Sequence, residues 1–334
     1  MDLLTPILAS HVMGTPAWAW LLFIGVVAAL LAFDLGVLHR NEREIGVRES
    51  LLLSAGYVSA GLLFGGWVWW LMGPDSGMAY YTGFLIEKSL SMDNVFVIAL
   101  IFSFFAVPRQ YQHRVLFWGI LGVIVLRALM IGLGSVLISQ FGWVLYLFGA
   151  FLVVTGIRMW FMADQEPGLA NNRVLKFLRR HLRVTEGLRG NAFMVREPDP
   201  RTGRMVRWAT PLLLALVMVE FIDLVFAVDS VPAIFAITTD PFLVYTSNVF
   251  AILGLRALYF ALAAMIHRFH YLKYALALVL VFIGAKIFLA HSVGKLPTAL
   301  SLGVTLGLIA GGVVVSLWKT RGGNAGSPPT VPAP

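Results

Sequence analysis

Long apolar runs dominate the chain, and that property leaves few folds open. In hydrocarbon every backbone N–H and C=O has to be satisfied internally, so a spanning chain forms helices or a closed barrel. The apolar runs lie at about 17–38, 49–72, 78–105, 115–138, 142–163, 208–233, 242–266, 271–291 and 297–318. Each has the roughly 20-residue length of a spanning helix rather than the roughly ten residues of a barrel strand. They predict an all-α polytopic membrane protein of about nine helices. Of the 334 residues, 59% are hydrophobic and only 13% charged, against about 25% charged in a soluble domain.

The net charge of +8 raises the question of a nucleic-acid partner, and the placement of the basic residues answers it. With the N-terminus outside, 20 of the 25 Lys and Arg fall in inner loops or the tail, and only Lys295 falls in an outer loop. That asymmetry is the positive-inside pattern. It predicts a multi-pass protein with its N-terminus outside and its C-terminus in the cytoplasm, with the lipid bilayer and no nucleic acid as partner. Residues 1–16 lack a basic n-region, so no cleavable signal is expected. The loop at 164–207 is polar and basic. It reads as a solvated linker that touches anionic lipid, with a short amphipathic helix at 171–183. The tail at 321–334 is rich in Gly and Pro and reads as disordered.

Inside this apolar chain sit two matched acidic clusters. One runs from Glu87 to Val95 and includes Asp93 and Asn94. The other runs from Asp223 to Val231, includes Asp229 and Ser230, and follows Glu220. Both fit an acid, five residues, Asp, then Asn or Ser, then Val. A charge at the centre of a membrane helix costs about 2.5–3.5 kcal/mol on insertion scales, so it is rarely present without a task. The match extends further. Leu126-Arg127-Ala128-Leu129 reappears as Leu255-Arg256-Ala257-Leu258, and Gly156-Ile157-Arg158 as Gly284-Ala285-Lys286. Three spans (78–163) thus recur as three spans (208–291), and an odd number of spans inverts the second copy. The organisation expected is an N-terminal two-helix segment (1–77), a first three-helix repeat (78–163), the basic cytoplasmic loop (164–207), the inverted repeat (208–291), and a ninth helix with its tail (292–334).

Helical spacing places Glu87 and Asn94 on one face, two turns apart, and does the same for Asp223 and Ser230. If the copies face each other, Glu87, Asp93, Asn94, Glu220, Asp223, Asp229 and Ser230 converge on one cavity. Asp34, toward the inner end of the first span, reads either as an interfacial acid facing headgroups or as a gate or additional ligand at the cytoplasmic mouth. All are oxygen donors. The chain has no cysteine, and histidines 11, 39, 113, 181, 267, 270 and 291 fall in loops or at span ends. Oxygen donors suit Mg²⁺, Ca²⁺ or Mn²⁺ better than Zn²⁺ or Cu. Met92 and Met218 read as core packing. Pro232 removes the helical partner of the Val228 carbonyl, which makes either a kink or a carbonyl ligand. Six intramembrane acids stand against Lys88, Arg127, Arg256 and Lys286, a balance of −2 that one divalent cation would match. The two arginines read as buried ion pairs that tie helices together. The glycines at 132, 134, 149, 156, 254 and 284 read as close helix packing and hinges. No phosphate loop or dinucleotide fingerprint is present, so no enzymatic activity and no catalytic cofactor are expected.

These stretches resemble the TerC family of integral membrane proteins, and within it the Alx-like branch of manganese exporters. The resemblance covers nearly all of 17–318. It is carried by FDL around Asp34, GFLIEKSLSMDNVFV at 83–97, VLRALMI at 125–131, YLFGAFLVVTGIRM at 146–159, ATPLL at 209–213, the stretch from Glu220 to Phe260, and LVFIGAKI at 280–287. It implies nine spans related to the lysine-exporter-like superfamily. It also implies Mn²⁺ efflux across the bacterial inner membrane, with links to tellurium resistance and alkaline pH. The implied metal contacts are Glu87, Asp93, Asn94, Glu220, Asp223 and Asp229, with Asp34 as a contributor. The expected function is proton-coupled export of Mn²⁺ by alternating access. The competing readings are export of a cationic amino acid or other small cation, and an accessory role in membrane insertion or metalation of exported proteins.

Overall fold

A computed structural model describes residues 10–38, 47–162, 172–199, 203–262, 272–292 and 296–322. A small hairpin, β1 (His11–Val12) and β2 (Thr15–Pro16), leads into α1 (Ala17–Leu38). There follow α2 (Val47–Met72), α3 (Pro74–Phe104), α4 (Arg109–Gln140), α5 (Val144–Met162) and the short α6 (Arg173–His181). A second hairpin, β3 (Met194–Pro198) and β4 (Met205–Ala209), precedes α7 (Pro211–Phe235), α8 (Pro241–Leu253), α9 (Leu255–Leu262), α10 (Leu272–Ser292) and α11 (Thr298–Gly322). Among the described residues, seven stretches are long and apolar enough to cross a membrane: α2, α4, α5, α7, the α8–α9 pair, α10 and α11. The two other expected spans differ for separate reasons. The described apolar part of α1 is the shorter Ala17–Phe33. α3 has 31 residues but carries Glu87, Lys88 and Asp93 along its length.

Local chemistry sets the helix starts. Pro74, Pro211 and Pro241 stand at first-turn positions, where a missing N–H costs nothing. Asp240 caps α8 by accepting from the Phe242 N–H at 2.9 Å. α7 continues through Pro232 to Phe235. The single span expected at 242–266 is instead two helices, with a turn at Gly254. The Lys88 amine explains the break: it donates to the Ala251 carbonyl at 3.2 Å, at the carbonyl-rich, negative end of α8. A Cβ on Gly254 would lie 2.8 Å from that amine.

Helix packing brings α3 against α8 and α7, α4 against α7, and α5 against α10, while α11 covers α10 and α3. An aromatic cluster joins α1, α2, α3 and α8. Phe64 and Phe250 lie 4.7 Å apart between ring centroids, Trp20 and Phe242 5.1 Å, and Phe23 and Tyr245 5.6 Å. Each such pair contributes about 0.5–1.5 kcal/mol beyond its buried area.

The basic stretch read as a linker carries structure of its own. α6, the helix expected at 171–183, is capped by Asn172, which accepts from the Val174 N–H at 2.8 Å. Its Leu175 is buried in the core cluster formed by the adjoining ends of α3, α4 and α7. The β3–β4 hairpin runs into α7 through Thr210, whose hydroxyl donates to the Ala192 carbonyl at 2.7 Å. The Arg114 guanidinium of α4 covers the Phe193 ring at 5.2 Å. The hairpin was hidden in the sequence because its strands are only five residues long and carry charge on both faces, Arg196 and Arg207 on one and Glu197 on the other. Residues 163–171, 200–202 and the expected tail beyond Gly322 lie outside the described residues.

The tightest helix contact is that of α5 with α10, where backbone meets backbone. A Cβ at Gly284 would lie 2.6 Å from the Gly149 carbonyl, and one at Gly156 2.7 Å from the Ala277 carbonyl. Of the other glycines read as packing sites, Gly132 has nothing within 4 Å. Gly284→Ala is therefore expected to cost about 1–3 kcal/mol of stability through overpacking, read as a lower melting temperature in detergent. Gly132→Ala should leave the melt unchanged or raise it.

Candidate functional site

Four helices direct polar side chains to one point. On α7, Glu220, Asp223, Ala227 and Ser230 follow helical spacing along one stripe. On α3, Glu87, Ser91 and Asn94 do the same. α4 places Arg127 between those stripes, and α8 adds Asn248. Arg127, Glu87 and Asn248 are at most 1% exposed.

The guanidinium organises the cluster. Arg127 Nη1 lies 2.6 Å from Glu87 Oε1 and donates to Asn248 Oδ1 at 2.8 Å and to the Ser230 hydroxyl at 3.0 Å. Its Nη2 reaches Asp223 Oδ1 at the longer distance of 3.4 Å. Asn248 donates from Nδ2 to Glu87 Oε2 at 3.2 Å, so both Glu87 oxygens are engaged. Asp223 Oδ1 also accepts from Asn94 Nδ2 at 3.3 Å. Around this core, Asn94 Oδ1, Asp223 Oδ2 and Glu220 Oε2 are buried and have no hydrogen-bond partner. Asn94 and Asp223 also line a small, partly open cavity of about 30 Å³, room for about one water molecule or a bare ion. The remaining walls are apolar and come from α3, α4, α7, α8 and α9, among them Ile98, Ile120, Val123, Ile222 and Leu255. The Glu220 carboxylate lies over Gly122 of α4, in the space that a Cβ there would fill.

Of the eight residues marked in the sequence, Glu87, Asn94, Asp223 and Ser230 come together directly. Glu220 stands one turn from Asp223 on the same stripe. Asp229 is elsewhere: its Oδ1 accepts from the Thr155 hydroxyl of α5 at 3.3 Å, because it lies about a third of a turn from Ser230. The backbone places Asp93 in α3 and Asp34 in α1, and both side chains fall outside the described residues. Lys88 follows Glu87 in sequence but points to α8, since consecutive side chains diverge by about 100°. Met218 packs in the core, as expected. Asn248 was missed; its signal was a carboxamide beside Thr246 and Ser247 in a membrane-spanning stretch. Among the described residues no three His, Cys, Asp or Glu side chains form a ready-made metal cage. The oxygens open to a cation are Asp223 Oδ2 and Asn94 Oδ1, with Glu220 nearby.

Residues 72–324 match the profile described as "Integral membrane protein TerC family". The chain is 46% identical over 299 residues to an uncharacterized membrane protein of Rickettsia bellii, covering 90% of this chain and 97% of the relative. It is 47% identical over 308 residues to an uncharacterized membrane protein of Myxococcus xanthus, covering 92% and 94%. It is also 45% identical over 328 residues to a protein of Escherichia coli K12 named "Putative membrane-bound redox modulator Alx", covering 94% and 100%. No solved structure matches.

Breaking a buried ion pair by removing one partner strands the other, at a cost of about 3–5 kcal/mol. Glu87→Ala is expected to destabilise the protein by that order, while Glu87→Gln with Arg127→Gln recovers a large part of the loss. A double-mutant cycle on melting temperatures in detergent checks it, and additive losses would contradict the pairing.

Proposed function

Since the chain belongs to the TerC family of integral membrane proteins, we propose that it exports a divalent cation, Mn²⁺ above all, across the bacterial inner membrane. The observation that carries this reading is the pair of buried, unpartnered oxygens, Asp223 Oδ2 and Asn94 Oδ1, at the edge of a cavity within the bundle. Such oxygens in a low-dielectric interior are costly unless something completes them. One carboxylate, one carboxamide and the Glu220 carboxylate form a donor set for a hard or borderline dication that keeps part of its water shell.

The position of the cavity suits exchange of cargo with the cytoplasm. It lies on the side of Arg127 toward Ile98, Leu116, Val219 and Leu255. That is the end where α6 and the β3–β4 hairpin dock. By the positive-inside rule the basic end is cytoplasmic, with the N-terminus outside and the C-terminus in. In this reading the described conformation receives its cargo from the cytoplasm. On the far side of Arg127, Ile131, Val231, Ile234, Phe235 and Val244 form a packed cluster, which closes the outer path. Nine spans and two inverted three-helix repeats supply the moving parts: α3 pairs with α8, α4 with α7, and α5 with α10, the pairing a two-fold between the repeats would give. Exchange of carboxylate protons for the dication supplies the coupling, because crowded carboxylates in one site titrate together.

A redox role, suggested by the name of the E. coli relative, finds no thiol in this cysteine-free chain. Transport of a cationic amino acid would use the same carboxylates and needs a larger polar cavity than these apolar walls provide.

The test is Mn²⁺ transport in proteoliposomes with a metal-sensitive dye inside. Asp223→Asn is expected to lower the rate at least about tenfold, equivalent to about 1.4 kcal/mol, while membrane insertion stays normal. Full transport by that variant, or inhibition by lysine but not by Ca²⁺ or Mg²⁺, would rule out the dication site.

A further inference from the structure

Arg127 is held more firmly on one side than on the other. Glu87, Asn248 and Ser230 bind it at 2.6, 2.8 and 3.0 Å, while Asp223 is reached only at 3.4 Å. The same Asp223 oxygen is shared with Asn94, and its other oxygen has no partner. Arg127 is 0% exposed and its Nε is also unpartnered. Neither carboxylate receives the fork in bidentate fashion, the strongest Arg–carboxylate geometry. Instead the fork spans two carboxylates and closes on one.

We propose that Arg127 is a resident counter-cation for Asp223, and that an incoming divalent cation takes Asp223 away from it. This inference rests on the cation-site reading above. The physical need is plain. Between cargo ions, the Asp223 carboxylate stands in an interior where an uncompensated charge is expensive. A tethered guanidinium remains charged at all working pH values and cannot diffuse away. When a dication arrives at Asp223 Oδ2 and Asn94 Oδ1, its charge repels the guanidinium. Arg127 gives up its longest contact and keeps the other three. The displacement is small, because the anchors on Glu87, Asn248 and Ser230 do not change.

The arrangement also sets specificity. A monovalent ion offers half the charge to oppose the tethered competitor, so it displaces Arg127 poorly. A dication wins the exchange. Arg127 is thus a specificity-determining residue that never ligates the cargo. Its presence leaves the empty site one charge less negative than the carboxylates alone would make it, which lowers the cost of resetting without cargo.

Arg127→Gln deletes the charge and keeps a hydrogen-bonding amide. Purified protein at pH 8 would be titrated with Mn²⁺ by calorimetry, and melting curves recorded with Mn²⁺ and with Na⁺. Relative to wild type, the variant is expected to melt lower without metal and to bind Mn²⁺ at least about tenfold tighter. It should recover most of its lost stability on Mn²⁺ addition, and become stabilised by Na⁺ where wild type is not. Unchanged or weaker Mn²⁺ affinity in folded variant, with no recovery by metal, identifies a plain helix pin and overturns the proposal. Arg127→Lys serves if Arg127→Gln does not fold. A single ammonium cannot hold Glu87, Asn248 and Ser230 while still reaching Asp223, so its Mn²⁺ affinity should rise about threefold. Affinity equal to wild type would again overturn the proposal. If wild type itself binds no Mn²⁺, the cation site fails and this inference falls with it. Binding by wild type with indifferent variants sinks this inference alone.

Discussion

A guanidinium buried among helices cannot be left without partners, and much of this bundle is arranged around that requirement. Arg127 reaches out of α4 and draws Glu87 from α3, Asp223 and Ser230 from α7, and Asn248 from α8. Each contact fixes one helix in rotation and in height relative to α4. In a membrane, apolar side chains gain nothing by leaving lipid for one another, so packing and polar contacts have to supply the specificity. The planar fork of arginine suits this task, since its five donors can serve several helices at once.

A second, part-buried cation of the region is satisfied differently, and the contrast explains a feature of the fold. Lys88 carries a compact ammonium. It is directed to the Ala251 carbonyl at the end of α8, where backbone acceptors are released by the turn at Gly254. A broken helix inside a bundle is tolerated when something re-satisfies the freed groups, and here a lysine from α3 does so. Two neighbouring residues of α3, Glu87 and Lys88, therefore face opposite tasks. Glu87 anchors Arg127, and Lys88 caps the end of α8 where it breaks from α9.

Much of this was legible in the sequence because it depends on periodicity. The lengths of the apolar runs located the helices within a few residues. The seven-residue spacings placed Glu87 with Asn94 and Asp223 with Ser230 on common stripes. The reading of Arg127 as an ion pair was right in kind, but its partners were not legible, because they depend on which helices become neighbours. For the same reason Asn248 escaped notice: nothing in an isolated span marks a carboxamide as the bridge between a distant arginine and a distant glutamate. Asp229 matched the repeat motif, yet one residue of helical rotation turns it toward Thr155. The split at Gly254 and the β3–β4 hairpin were invisible because each depends on tertiary contacts, Lys88 in one case and Phe193 under Arg114 in the other.

The two sides of Arg127 are unlike, and the proposed transport cycle has to act on that difference. Toward the basic end the helices leave a cavity bordered by Asn94 and Asp223. Toward the other end Phe235 presses against Gly134, where an added Cβ would lie 2.8 Å from the ring, and Val231, Ile234, Ile131 and Val244 fill the remaining space. The seals are apolar on both sides and the polar layer between them is thin. Moving a cation outward then requires parting the Phe235 cluster while Ile98, Leu116 and Val219 close behind it. The same α4–α7 interface carries both seams, so a modest rocking of α7 against α4 about the Arg127 contacts would open one as it shuts the other. In that proposed cycle the arginine would sit at the fulcrum, where a change in its partners would be coupled most directly to which seam is open.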